Sequence, residues 1–390
     1  MPMGKLSADR SFVLGVLKKL VATNSVNPAV GKGPGELALS NMLFEMLSSI
    51  TPLEVRKQHV AGDRSNVVAI LRGSGTGRSL MLNGHMDTVG VEGMVIDPFR
   101  PFVDGRLLHG RGACDMKGAI AAMIGAAKSL ADSESRLRGD LIFTFVVDEE
   151  HLSLGMEKLL EEYNADAAIV GEPTDMEIAT AHKGLAWIEV EIKGRAAHGS
   201  VPEKGVDAIV RAANVVSRLG ELQKRLRTRA HPLLGTPKVH TSTIEGGIHW
   251  SIVPDRCVLR LERRTNPGET GASAMKEIQQ ILHSLKRKDS GFNAKVRKIF
   301  ERPPLEIPRT EPIVQELRRA FLEVTKTNAH IVGVPYWTDG ALLVHSGSIP
   351  TCIFGPGDIG VAHSPDEYVD VKDVVRAADV YGRVAQRFCA

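Results

Sequence analysis

Residues 141–147 read LIFTFVV, and the three that follow are Asp148, Glu149 and Glu150. A run this continuously apolar suits a strand covered on both faces, as in a parallel sheet between layers of helices. Its end must also deliver three acids to one edge of that sheet. Residues 166–170 (DAAIV) form a second short strand and lead into Gly171-Glu172-Pro173-Thr174. Residues 66–71 and 79–83 are two further strand candidates. Apolar residues recur at helical spacing over 11–23, 37–49, 116–130 and 155–163. The alternation predicts an α/β fold, a sheet flanked by helices. GSGTG at 73–77 reads as a turn between strands, not a phosphate loop, because no Gly-Lys-Ser/Thr follows and no helix opens there.

The texture changes near residue 182. Residues 185–192 (LAWIEVEI) alternate apolar and charged, as a strand with one wet face does. A helix over 207–226, strands over 238–244 and 257–261, a helix over 270–285 and a strand over 293–300 follow. Strand–helix–strand–strand–helix–strand predicts a small α+β sandwich. Prolines at 303, 304 and 308 mark its end, and a helix (312–325), a strand (351–355) and a helix (371–387) remain. The 390 residues suffice for two to three domains, or one large domain with an insertion. The expected organisation is one domain over 1–182, resumed over 300–390, with a second domain inserted over 183–299.

Composition narrows the function classes. A net charge of +3 is too small for a nucleic-acid binder, and the basic residues at 224–229 read as a solvated helix end. No apolar run approaches the roughly 18 residues of a membrane span, and MPMGKLSADR lacks the apolar stretch of a secretory signal. Cys114, Cys257, Cys352 and Cys389 are widely spaced and form no CxxC pair. The expectation is therefore a cytoplasmic protein with reduced thiols, without nucleic-acid or membrane partners.

Metal-type ligands concentrate in Asn83-Gly84-His85-Met86-Asp87, Gly110–Asp115, Asp148-Glu149-Glu150 and Gly171-Glu172, and again far away in Ala362-His363-Ser364-Pro365-Asp366-Glu367. Sites in open α/β sheets form outside the carboxyl ends of strands, so His85, Glu149 or Glu150, and Glu172 are expected at one edge. A mix of His and carboxylate without Cys suits a catalytic site for zinc, manganese or cobalt. Two ions about 3.5–4 Å apart, bridged by a carboxylate, would use the surplus acids. Asp87, two residues from His85, can hydrogen-bond its imidazole. Of Glu149 and Glu150, one can ligate while the other serves as general base. Asp115 can also be read as the N-cap of the helix at 116–130. GxSxG and HExxH are absent, which argues against a serine hydrolase and a zincin.

NGHMDTV, GRGACDMKG, DEE, GEPT and AHSPDEY, in that order, resemble the M20 family of metallopeptidases and deacylases, of the acetylornithine deacetylase/succinyl-diaminopimelate desuccinylase type. The resemblance implies a catalytic domain with a mixed sheet flanked by helices, interrupted by a lid or dimerisation domain. It implies that His85, Asp115 and Glu172 hold one divalent metal and that Asp115, Glu150 and His363 hold the other, with Asp115 bridging. Zinc is the first choice of metal, with cobalt or manganese as alternatives. Asp87 would orient His85, and Glu149 would be the general base. In the insertion, GRAAHGS resembles the stretch whose histidine, here His198, reaches the active site of the other subunit of a homodimer. ERRTNPG resembles the stretch whose arginine, here Arg264, binds a substrate carboxylate. Ser251 stands where the family often has Asn, and Glu262 where it often has Asp.

The function expected is hydrolysis of the amide bond of an N-acyl amino acid. A metallo-carboxypeptidase or dipeptidase acting on short peptides is the alternative, and a non-catalytic binding relative a further one. Cys114 reads as packed rather than reactive, His182 as a hinge-side hydrogen-bonding group, and Trp337-Thr338-Asp339 is given no catalytic role.

Overall fold

The strand Leu141–Val146 is buried at every position. One neighbour, Arg64–Leu71, runs antiparallel to it, and the other, Leu80–His85, runs parallel. Ala167–Val170 and then Thr351–Ile353 continue the sheet in parallel, and Ile178–His182 pairs antiparallel with the last and, on its other side, with Leu305–Glu306. The sheet is thus mixed, and the molecule is an α/β protein. Glu54–Ala61 pairs antiparallel with Arg64–Leu71 at the other side. The sequence reading lacks this strand because most of it is wet, so EVRKQHVA carries no long apolar signal. The computed structural model describes residues 6–133 and 136–390.

The chain divides into two compact units, one of residues 1–180, 307–332 and 338–390, the other of 181–306 and 333–337. The sequence reading places the corresponding divisions at 182/183 and 299/300.

In the first unit, Gly118–Ala131 is buried along most of its length and packs against Arg10–Ala22 and Val371–Phe388. Its small residues permit this. A Cβ on Gly125 would lie 2.6 Å from Cγ2 of Val13, so only glycine admits the neighbouring helix so closely. This helix opens two residues later than expected. Residues 113–117 form a wide turn in which Asp115 and Met116 leave helical geometry. Lys117, not Asp115, therefore occupies the N-cap position, and the capping reading of Asp115 is corrected.

In the second unit, Lys238–Gly246, Arg256–Thr265, Gly184–Lys193 and Asn293–Arg302 form an antiparallel sheet in that order. Ala208–Leu226 and Gly271–Lys288 cover one face. Their buried Val215, Leu219, Leu222, Ile278, Ile281 and Leu282 meet Ile188, Val190 and Ile192 of the central strand. The alternation in LAWIEVEI is thus a dry side against the helices and a wetter side away from them.

Candidate metal centre

Register brings the acids together. Leu80–His85 lies between Leu141–Val146 and Ala167–Val170, all parallel, with His85 level with Val146 and Asn83 level with Val170. The backbone then leaves each strand on the same edge. His85 is a terminal strand residue, Glu149 and Glu150 follow the second strand, and Glu172 follows the third. Thr351–Ile353 is the next parallel strand, and the loop after it carries His363.

Two groups of donor atoms result, each with its atoms within 4.8 Å of one another. One consists of His85, Asp115 and Glu172, the other of Asp115, Glu150 and His363. Asp115 belongs to both, and its two oxygens face different ways. Oδ1 lies 3.0 Å from Nε2 of His85, and Oδ2 lies 3.2 Å from Nε2 of His363. Nε2 of His85 is 3.5 Å from Glu172, and Nε2 of His363 is 3.3 Å from Glu150.

Nδ1 of His85 lies 3.0 Å from the main-chain carbonyl of Asp87. A carbonyl only accepts, so Nδ1 carries the proton, and the Nε2 lone pair of a neutral ring points at Asp115 and Glu172. A lone pair and carboxylate oxygens converging on one point require a proton or a cation between them. The titration tendencies say the same. Burial opposes charge on His85, but Glu172 and Asp115 outweigh it and push the imidazole well up. Burial and the neighbouring Asp115 push Glu172 up, and burial with Glu172 does the same to Glu149. Hydrogen bonds to Asp115 and Glu150 raise His363 to about 10. Burial alone would raise Asp115, but the bonds from His363 and His85 hold it below the usual carboxylate range. Negative charge is in excess here, and the residues fit a pair of divalent cations.

The supports are buried. Glu367, four residues beyond His363, accepts from Arg111 Nη1 (2.8 Å) and from the amides of Gly112 (2.8 Å), Cys114 (2.9 Å) and Asp115 (3.0 Å). The same loop therefore carries His363 and grips the turn that carries Asp115. Gly112 has φ +78°, a conformation that glycine adopts without steric cost. Cys114 is buried and donates to the carbonyl of Asp358 at 3.3 Å, and burial pushes its thiol up, in line with a packed rather than a reactive cysteine.

Asp87 differs from the expectation. Its carboxylate lies 3.7 Å from Nδ1 of His85, beyond hydrogen-bond reach. The carboxylate instead accepts from the amides of Glu149 and Glu150, each at 3.1 Å. The Glu149 side chain joins neither donor group.

His198 and Arg264 belong to the second unit. His198 is exposed, lies 2.7 Å from Ser200 Oγ and bridges to Ile252, beside the loop carrying Ser251. Arg264 pairs with Glu262 at 2.9 Å, so the glutamate standing where Asp is common is its acidic partner. Arg263, next to it, is buried between Glu269 and Glu277.

Comparison with known proteins adds a family match. Residues 81–387 match the model of peptidase family M20/M25/M40. The chain is 34% identical over 341 residues to an acetylornithine deacetylase of Myxococcus xanthus, covering 84% of this chain and 85% of that one. It is 32% identical to the N-formyl-4-amino-5-aminomethyl-2-methylpyrimidine deformylase of Bacillus subtilis, covering 95% and 93%. Among solved structures, a tripeptidase from Staphylococcus aureus superposes with a TM-score of 0.83 at 21% identity, covering 99% of this chain and 100% of that one. A dinuclear metal-binding peptidase from Bacillus subtilis gives 0.75 at 17% identity, covering 97% and 98%.

Proposed function

This chain belongs to peptidase family M20/M25/M40, and from that premise we propose that it is a di-metal deacylase of N-acyl amino acids. Family membership makes it a hydrolase acting on amide bonds. The finer reading is supported by the two relatives above, a deacetylase and a deformylase by name. The observation that carries the di-metal part of the reading is Asp115, whose two oxygens face His85 and His363 separately.

His85, Asp115 and Glu172 would hold one ion and Asp115, Glu150 and His363 the other, preferably zinc. When bound, such ions polarise the scissile carbonyl and stabilise the charge that develops on its oxygen. Glu149 takes a proton from the attacking water as the C–O bond forms and delivers it to the amine as the C–N bond breaks. The Asp87 carbonyl fixes the His85 tautomer. Arg264 would hold the substrate carboxylate with its planar fork.

His198 would act from a partner subunit of a homodimer. The edge strand Lys238–Gly246 is exposed at most positions, and beyond it Ile248 is 87% exposed and Trp250 fully so. An edge of this kind invites a second copy. A cytoplasmic location is supported by four buried, unbridged cysteines. Among the described residues, no helix is long and apolar enough to cross a membrane.

The test is Glu149→Gln, assayed on N-acetyl, N-formyl and N-succinyl amino acids and on dipeptides. The variant is expected to keep its metal and to lose a factor of roughly 10² or more in kcat. Normal turnover would reject the base assignment. Wild-type preference for dipeptides would transfer the chain to the peptidase reading.

A further inference from the structure

The three residues Asp148, Glu149 and Glu150 are all held by their main chain. The amide of Asp148 donates to Glu36 at 3.2 Å, and those of Glu149 and Glu150 donate to Asp87 at 3.1 Å. Every N–H of the triplet thus ends on a buried carboxylate from elsewhere in the chain. The direction in which Glu149 points is therefore only as well defined as the position of Asp87.

Asn27 settles that position. It is fully buried, and its Nδ2 donates to Asp87 Oδ2 at 2.8 Å and to Asp148 Oδ1 at 3.1 Å. Its Oδ1 accepts from the amide of Ala29 at 2.9 Å, which fixes the amide against a flip. Behind it, Arg64 donates to Asp148 at 2.9 Å and forks onto Glu36 at 2.8 and 2.6 Å. Asp87, Asp148 and Glu36 are three buried carboxylates, and such a group persists only when paired and hydrogen-bonded. One neutral amide between two of them, and one guanidinium between two of them, supply that pairing.

We infer that Asn27, backed by Arg64, is a positioning residue for Glu149, acting through the Asp87 carboxylate and the amides of the triplet. The inference rests on the reading of Glu149 as the base. It assigns a role to residues with no place among the metal ligands or the substrate contacts.

The test uses Asn27→Ser in the metal-loaded full chain. Serine keeps an oxygen to cap the turn at Ala29 but removes the bridging NH2. The variant is expected to retain two ions and a KM within about two-fold, and to lose about ten-fold or more in kcat on the fastest substrate of the panel above, as other outer supports of metal sites do. Amide exchange over residues 148–150 should quicken by about ten-fold, since their protection depends on Asp87. In a Glu149→Gln background the same substitution should lower kcat no further, because nothing remains to be positioned. Unchanged exchange at 148–150, unchanged kcat, or an equal further loss in the Glu149→Gln background each overturns the inference. Arg64→Lys, which keeps the charge but not the fork, is read by the same criteria if Asn27→Ser does not fold. Should Glu149→Gln turn over normally, the base assignment fails, and the exchange result still decides whether Asn27 holds the triplet.

Discussion

Asp115 could not serve two donor groups unless its own backbone were immobile, and Glu367 makes it so. That carboxylate takes four donors, three of them main-chain amides, and pairs with a buried Arg111. Glu367→Gln would leave Arg111 buried without its counter-charge and replace some accepting lone pairs by N–H. A loss of about 3 kcal/mol is expected, the size seen when one partner of a buried pair is removed, read as a fall in the chemical-denaturation free energy. A change under about 0.5 kcal/mol, the scale of an ordinary surface substitution, would refute the clamp. The donors themselves are legible in sequence, because each sits in a short stretch of unusual residue types. Glu367 lies in such a stretch too, but its partners are more than 250 positions away. In sequence Asn27 shows only as part of a break after the helix at 11–23, and Arg64 falls just outside the strand expected over 66–71, which in the structure it opens. A long-range hydrogen bond leaves no spacing signal in one chain, so these supports are visible only in three dimensions.

At the scale of elements, periodicity reports burial, and it is most reliable where burial is simple. Pro312–Thr325 has the bounds expected from sequence, where proline marks its start, and in the structure Lys326 ends it in a left-handed conformation. Glu54–Ala61 is invisible because it is mostly wet. The turn at 113–117 is invisible because its geometry serves Asp115 rather than helix propagation. Lys183, between Ile178–His182 and Gly184–Lys193, shows a cost that patterning cannot show. Burial and the nearby Lys238 push its ammonium down to about 8, although it donates to Thr236 O at 2.8 Å and Asn266 Oδ1 at 2.9 Å. Below pH 8 both folded and unfolded chains hold this proton, and the cost is present in full. Between about 8 and the ordinary value of 10.5, the folded chain has released it and the unfolded chain has not, so stability from this group rises with pH. The difference in Tm between wild type and Lys183→Met should move in favour of the wild type across that window. A difference independent of pH would refute the burial of the charge.

For the whole molecule, the family resemblance fixes more than the pattern of elements does. Strand and helix alternation gives an α/β sheet and an α+β insertion, but neither implies amide hydrolysis. The five ordered motifs do. What they leave open is assembly. If the edge strand Lys238–Gly246 and the exposed Trp250 meet a second copy, Trp250→Glu should place charge in the interface and weaken dimerisation by about ten-fold or more in sedimentation equilibrium, as truncated interface anchors do. A wild type that stays monomeric at high micromolar concentration would contradict the homodimer. The central claim is simpler, that one aspartate is shared by two cations. Metal analysis of the zinc-loaded chain by mass spectrometry tests it directly. The account predicts two ions per chain in the wild type, one in His363→Ala and none firmly held in Asp115→Ala, and a folded Asp115→Ala that still binds two would contradict it.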